Sequence, residues 1–250
     1  MTDSGRRTLF LGATRGMGRA LARRLADRGD DLFLLGRDPK GIRRSATDLA
    51  VRAGRRTSYG TARLDLGEPE GFAAVVEEVV DHLGGVDLAV ITAADFAVQE
   101  ELEEDPERAR RLLEIDFSGT VTFCEWLRPH LLASRGTLCV FSSVAGDRGR
   151  KPVVLYGAAK AGLSRYLEGL DHRYHGEGLT VVCVKPGFVE TSMTEGLDPP
   201  PFAGKPEAVA GDVLRAIEKG KPVVYTPGIW RWVMAVIRRL PRFVMRRVDL

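Results

Sequence analysis

Cysteine is scarce in this chain, and its three copies, Cys124, Cys139 and Cys183, stand far apart among apolar residues. Neither a CxxC nor a Cys/His pair of metal-ligand spacing occurs, which argues against a zinc site or a disulfide framework and points to reduced core thiols in a cytoplasmic protein. The histidines are equally few: His82, His130, His172 and His175 are not spaced as metal ligands or as the base of a nucleophile. Long hydrophobic runs are missing as well, since none approaches the roughly 20 apolar residues that a membrane-spanning helix needs. The apolar run 8–13 follows Arg6 and Arg7 but meets Arg15 too soon to be a signal peptide. Strong charge of one sign is absent: the formal net charge of +3 gives no global reason to expect a nucleic-acid partner. No G-x-S-x-G elbow surrounds Ser143, which excludes the usual serine-hydrolase arrangement.

What is present is an ordinary globular composition, 44% apolar and 28% charged over 250 residues, enough for one large core. Apolar runs of strand length (8–12, 32–36, 58–64, 88–93, 137–142, 180–185 and 223–226) alternate with helical-period segments at 16–28, 70–82, 106–133 and 156–175. Continuous apolar strands separated by helices predict an α/β fold: a single doubly wound, Rossmann-like parallel sheet of about seven strands with helices on both faces. One catalytic and dinucleotide-binding domain is expected over 1–227, with a basic amphipathic tail over 228–250. The ligand crevice of such a sheet lies at the carboxyl ends of its strands. Three loops face it, 12–18, 143–155 and 186–205. The last, with Pro199, Pro200 and Pro201, reads as a substrate lid or as a plain irregular surface loop.

The first of these loops carries glycines at 12, 16 and 18, where a strand passes into a helix. Gly12 permits the tight turn, Gly16 lets backbone approach a pyrophosphate, and Gly18 lets the helix pack on the sheet, with the helix N-terminus facing the phosphates. The spacing is GxxxGxG and not the GxGxxG of the ordinary fingerprint. At the end of the second strand an NAD site would present a carboxylate, but the chain reads Gly36-Arg37-Asp38. Arg37, with Arg15 able to converge on the same point, suits a 2′-phosphate and so NADP(H). Asp38 either pairs with Arg37 or caps the helix that follows. Further on, Tyr156 and Lys160 stand at i and i+4 on one helix face, where an ammonium favours phenolate and makes the tyrosine a usable acid/base. A serine beside that tyrosine can hold the substrate oxygen.

Taken together, the loop Gly12-Ala-Thr14-Arg15-Gly16-Met17-Gly18, Asp65-Leu66, Ser142-Ser143, Tyr156-Gly-Ala-Ala-Lys160 and Pro186-Gly-Phe-Val-Glu-Thr191 resemble the short-chain dehydrogenase/reductase family over essentially the whole chain. The resemblance implies NADP(H)-dependent hydride transfer to a ketone, or from an alcohol, with Tyr156 as acid/base and Ser143 orienting the substrate. It implies that Lys160 also holds the nicotinamide ribose, that Asp65, Leu66 and Ala93 lie at the adenosine end, and that Pro186, Val189 and Thr191 meet the nicotinamide. It further implies a homodimer or homotetramer. Two departures stand out. Ile91-Thr92-Ala93-Ala94 replaces the family's Asn-Asn-Ala-Gly run, and Asp116 stands where the family has a proton-relay asparagine. Aspartate there accepts from the same water but cannot donate, and its charge biases Lys160.

The tail combines Trp230, Trp232, Val233, Met234, Val236, Ile237, Leu240, Phe243 and Val244 with six arginines. Such a segment lies on a membrane, shelters a lipidic substrate, or packs on its own domain or a sister subunit. Tail and motifs together carry a narrower resemblance to the keto-reducing subunit of the mycobacterial decaprenylphosphoryl-ribose epimerase pair, which implies a hydrophobic or lipid-linked ketone. A nucleotide-binding sensor without turnover is the rival reading from outside enzymology, and Asp116 is its support. The acidic run 100–105 suits the N-terminus of the helix that follows it.

Overall fold

The computed structural model describes residues 5–54, 59–191, 194, 196, 198–200 and 202–248. Strands β1 (Arg7–Leu11), β2 (Asp31–Gly36), β3 (Gly60–Arg63), β4 (Leu88–Ile91), β5 (Thr137–Phe141), β6 (Thr180–Pro186) and β7 (Val223–Thr226) form one sheet in the order β3-β2-β1-β4-β5-β6-β7. Every pairing in it is parallel. The helices are α1 (Gly16–Asp27), α2 (Pro39–Arg52), α3 (Phe72–Leu83), α4 (Gln99–Glu104), α5 (Pro106–Leu113), α6 (Thr120–Ser134), α7 (Val154–Tyr174), α8 (Pro206–Glu218), α9 (Trp230–Ile237) and α10 (Arg242–Met245).

Alternation along each strand builds two cores. In β1, Leu9 and Leu11 point to the face covered by α3, α6 and α7, whereas Phe10 points to the face covered by α1, α2 and α8. Each such fully buried side chain contributes roughly 1.5–3 kcal/mol. All three cysteines are buried in these layers, and burial pushes the thiols of Cys124 and Cys139 up. The strand order reverses between β1 and β4, and a sheet of this kind opens its crevice beyond the carboxyl ends of those two strands.

Several sequence expectations are corrected in detail. The strands expected at 8–12, 88–93 and 137–142 stop at Leu11, Ile91 and Phe141, because the chain turns away from extended geometry to enter loops. Gly12 does so at φ +102°, in the left-handed region that favours glycine. Ser58, the first residue of the third expected strand, and Pro201 of the 186–205 loop lie outside the described residues. The helix expected at 106–133 is not continuous. It opens into a π turn at Glu114–Gly119, where the Thr120 hydroxyl donates to the Ile115 carbonyl over 2.7 Å, and then resumes as α6. Asp38 caps α2, its carboxylate accepting from the Lys40 N–H over 3.0 Å ahead of Pro39. Asp105, the end of the acidic run, caps α5 in the same way through the Arg108 N–H.

The tail packs with one face inward. Trp230, Met234 and Ile237, spaced i, i+4 and i+7, are buried against Val144, Phe188 and Tyr225. The Trp230 indole lies so close to the Gly187 backbone that a Cβ there would come within 2.0 Å of it. Arg148 adds a hydrogen bond to the Leu240 carbonyl over 2.9 Å. The other face, with Ile229, Trp232, Val236 and Phe243, stays exposed. No described helix is long and apolar enough to cross a membrane.

Candidate active site

Two neighbouring regions at the strand ends are shaped for different tasks. The first is a cavity of about 900 Å³ bounded by the glycine loop, the end of β2, the segment after β3 and the segment after β4. Gly12, Thr14, Arg15, Gly16, Met17 and Gly18 form its floor. A Cβ on Gly18 would meet the Gly12 carbonyl oxygen at 2.1 Å, so only glycine lets α1 begin this close to β1. Arg15 precedes the helix without a capping side chain, which leaves the first amides of α1 for another acceptor. Arg15 and Arg37 both border the cavity, and so do Arg19 and Arg44. Arg44 shares a face of α2 with Gly41, Ser45 and Asp48, all of which border the cavity. That spacing of three, four and seven was the available signal for it.

Asp65, Leu66, Ala93 and Thr191 also line this cavity, whereas Pro186 and Val189 do not. Asp65 is held by the Gly67 N–H over 3.0 Å and faces Arg111 at 3.5 Å. Val189 is buried and bridges to Gly204, which ties the start of the 186–205 loop to its end. Thr92 performs a task that composition did not announce. Its hydroxyl lies 3.0 Å from the Gly12 carbonyl and 3.3 Å from that of Leu11, pinning the glycine loop to the end of β4.

The second region collects Ser143, Tyr156, Lys160 and Asp116. Ser143 leaves β5, and its oxygen accepts from the Ala145 N–H over 3.0 Å, close enough to Tyr156 to favour its phenolate. Ser142 bonds the Lys160 carbonyl over 3.0 Å and Ser164 over 2.7 Å, fixing α7 against β5. Phe96 meets the Tyr156 ring edge-on, centroids 5.2 Å apart, and the Lys160 ammonium lies 5.5 Å from the same ring's centre. Lys160 is buried and faces the fully buried Asp116 at 3.4 Å.

Asp116 lies within the π turn, among that turn's buried residues. Asp116 in turn accepts from the Asp95 N–H over 2.7 Å, and the Asp95 carboxylate is clasped by both terminal nitrogens of Arg108. Neither Asp95 nor Arg108 belongs to a motif that the sequence pattern could show.

Electrostatics follow from burial. Burial pushes the Tyr156 phenol up, the Lys160 charge pulls it down and the Asp116 charge pushes it up again. For Asp116 itself burial is the largest influence and raises its carboxyl, against the pull of Lys160. Lys160 is desolvated, which favours loss of its proton, yet Asp116 and Tyr156 together raise it and keep it an ammonium.

The family profile described as short chain dehydrogenase matches residues 6–200, most of the chain. This protein belongs to the short-chain dehydrogenases. Its relatives among these oxidoreductases include an uncharacterized oxidoreductase of Mycobacterium tuberculosis, 35% identical over 99% of each chain. An uncharacterized oxidoreductase of Streptomyces coelicolor is 34% identical over 97% of this chain and 96% of its own. Among solved structures, a short chain dehydrogenase from Burkholderia cenocepacia in complex with NADP superposes with a TM-score of 0.79. The two share 23% identity over 91% of this dehydrogenase and 98% of that chain, a likeness of fold.

Proposed function

We propose that this oxidoreductase is an NADPH-dependent carbonyl reductase, working in reverse as an alcohol dehydrogenase, with Tyr156 as the acid/base. The observation that carries the reading is the Lys160 ammonium beside the Tyr156 ring, itself ion-paired with the buried Asp116. A phenol held protonated by burial can hand its proton to a carbonyl oxygen, and the neighbouring ammonium stabilises the phenolate left behind. Ser143 supplies a second hydrogen-bonding group for the same oxygen, which orients the carbonyl. Asp116, joined to Lys160, keeps that ammonium charged in the interior. A sensor without turnover would have no use for this set, and so falls behind.

The cavity fits a dinucleotide on its own geometry: a glycine floor, uncapped helix amides, and arginines at the end of β2 and on α2. Bound there, NADP(H) supplies or accepts the hydride. Arg15, Arg37 and Arg44 form the cationic wall for a 2′-phosphate, and the NADP complex of the Burkholderia relative is consistent with it. NADPH consumption against a panel of ketones graded in hydrophobicity, with NADH alongside, tests the reading. Activity with NADPH is expected. Tight NADPH binding with no turnover on any ketone would return the sensor reading to first place. Arg37→Asp is expected to lower kcat/KM for NADPH by about tenfold or more and to narrow or invert the preference over NADH, since each charged hydrogen bond is worth about 1.5–3 kcal/mol. An unchanged NADPH/NADH ratio would remove Arg37 from the site.

The substrate is proposed to be hydrophobic or lipid-linked, in keeping with a keto-sugar reductase subunit of an epimerase pair. What favours this is the tail, whose inner face packs beside Val144 and Gly187 at the rim of the site while Trp232 and Phe243 remain 68% and 61% exposed. Six arginines on the same segment suit anionic headgroups. The protein is expected to co-sediment with vesicles of anionic phospholipid and to be released by salt. Trp232→Ser with Phe243→Ser should abolish that binding without touching the buried Trp230, Met234 and Ile237. Equal sedimentation of both proteins would dismiss the membrane contact.

A further inference from the structure

The loop after β4 does more than border the cavity. Its Asp95 N–H donates to the Asp116 carboxylate over 2.7 Å, and the ring of the next residue, Phe96, meets the Tyr156 ring edge-on. Two consecutive residues thus touch the acid/base itself and the carboxylate paired with Lys160. Both also border the dinucleotide cavity, so this piece of loop stands between the two regions of the site. A loop does not hold two such contacts unaided, because fixing its backbone costs conformational entropy.

Arg108, on α5, does the fixing. Both of its terminal nitrogens engage the Asp95 carboxylate, and one of them also donates to the Phe96 carbonyl over 3.3 Å. The Phe96 N–H closes onto the same carboxylate over 2.9 Å. A planar fork on a carboxylate sets angle as well as distance, which a single ammonium does not. Exposed ion pairs usually contribute little, but here the two side chains are only 32% and 16% exposed and three acceptor oxygens converge on one guanidinium.

A second brace runs through Gln99, a buried polar residue at the start of α4. Its side-chain oxygen accepts from the Leu155 N–H over 3.2 Å. That amide lies in the first turn of α7, immediately before Tyr156, where the capping residue Val153 offers no acceptor. Glu103 accepts from the other end of the Gln99 amide over 2.9 Å, which decides which end faces Leu155. Ala97, Leu102 and Leu112 form a small apolar cluster packed against Leu155 and Tyr156.

We propose that Arg108 and Gln99 are positioning residues of this reductase: they brace residues 95–113 against α7 and so set the placement of Tyr156 and Asp116 for proton transfer. Neither donates a proton in the reaction; each acts through the backbone that it holds. The inference rests on the reductase reading for its effect on rate, though not for its effect on the Tyr156 ring.

Arg108→Gln is expected to lower kcat by about 10–10²-fold, the effect of a small misplacement of a reacting group. NADPH affinity, read by fluorescence titration, should stay near wild type, because the glycine loop and the arginines lining the cavity lie on other elements. Arg108→Lys should recover part of the loss. Gln99→Leu should reproduce it through the other brace, and decides the matter if Arg108→Gln folds poorly. NMR of isotopically labelled tyrosine rings reads the same placement without turnover, the Tyr156 signal being identified by its absence in Tyr156→Phe. That signal should move in Arg108→Gln, since the Phe96 ring current falls on it, while Tyr166 and Tyr225, held by Glu125 and Asp147, should not. An unmoved Tyr156 signal in both variants overturns the proposal, and so does an unchanged kcat. NADPH affinity lost in step with kcat would reduce both residues to general support of the fold and overturns it as well. A moved signal in a protein that turns over no ketone would uphold the brace and count against the reductase reading alone.

Discussion

Replacing Tyr156 by phenylalanine is expected to reduce ketone turnover by about 10²–10⁴-fold, the usual contribution of a positioned general acid. The fold should survive, because the ring and its edge-on contact with Phe96 are kept and only the hydroxyl is lost. Binding of NADPH, measured by fluorescence titration, should change little, since the cavity walls do not include Tyr156. The deficit should therefore fall on kcat and not on cofactor affinity. Wild-type pH profiles provide the matching signature. Reduction needs the protonated phenol, and burial pushes that phenol up despite the pull of Lys160. Reduction should thus be flat through neutral pH and fall only as alkaline conditions strip the proton. Oxidation, which needs the phenolate, should rise over the same range. A phenylalanine variant retaining most of the wild-type rate would assign the proton to another group.

The parts of this site legible in the chain are those whose chemistry depends on local spacing. Tyr156 and Lys160 share a helix face by their four-residue interval, and the glycines at 12, 16 and 18 announce a strand-to-helix turn that only glycine can make. Arg37 was visible because the end of the second strand is where an acid is expected. The missed residues depend on long-range closure. Asp95 and Arg108 come together across a loop and a helix, and Thr92 acts through backbone carbonyls of another strand. A 3.6-residue period also cannot reveal a single extra residue, so the π turn at Glu114–Gly119 was read through as helix. The tail shows the same division. The spacing of Trp230, Met234 and Ile237 marks one face, but what that face meets depends on where β5 and β6 end.

Asp116→Ala is expected to destabilise the protein by about 3–5 kcal/mol, the cost of leaving one member of a buried ion pair without its partner. In a chain of this size that corresponds to a fall in Tm of roughly 6–20 °C, readable by thermal denaturation. The size of the effect comes from Lys160, which is buried, keeps its ammonium largely through Asp116, and has no bulk water to turn to. Asp116→Asn should be milder, because an amide oxygen can still accept the Asp95 N–H now held at 2.7 Å. Turnover should persist in that variant, and its pH profile should move in a direction the structure dictates. The Asp116 charge raises the Tyr156 phenol, so its removal lets the remaining Lys160 charge pull the phenol down. The alkaline limb of reduction must then shift to lower pH, and oxidation must begin at lower pH by the same displacement. A variant with wild-type stability and an unmoved profile would mean that Asp116 and Lys160 are not electrostatically coupled. One with the profile moved and no activity lost would show aspartate doing at this position what the relay asparagine does elsewhere in the family, while holding Lys160 charged as well.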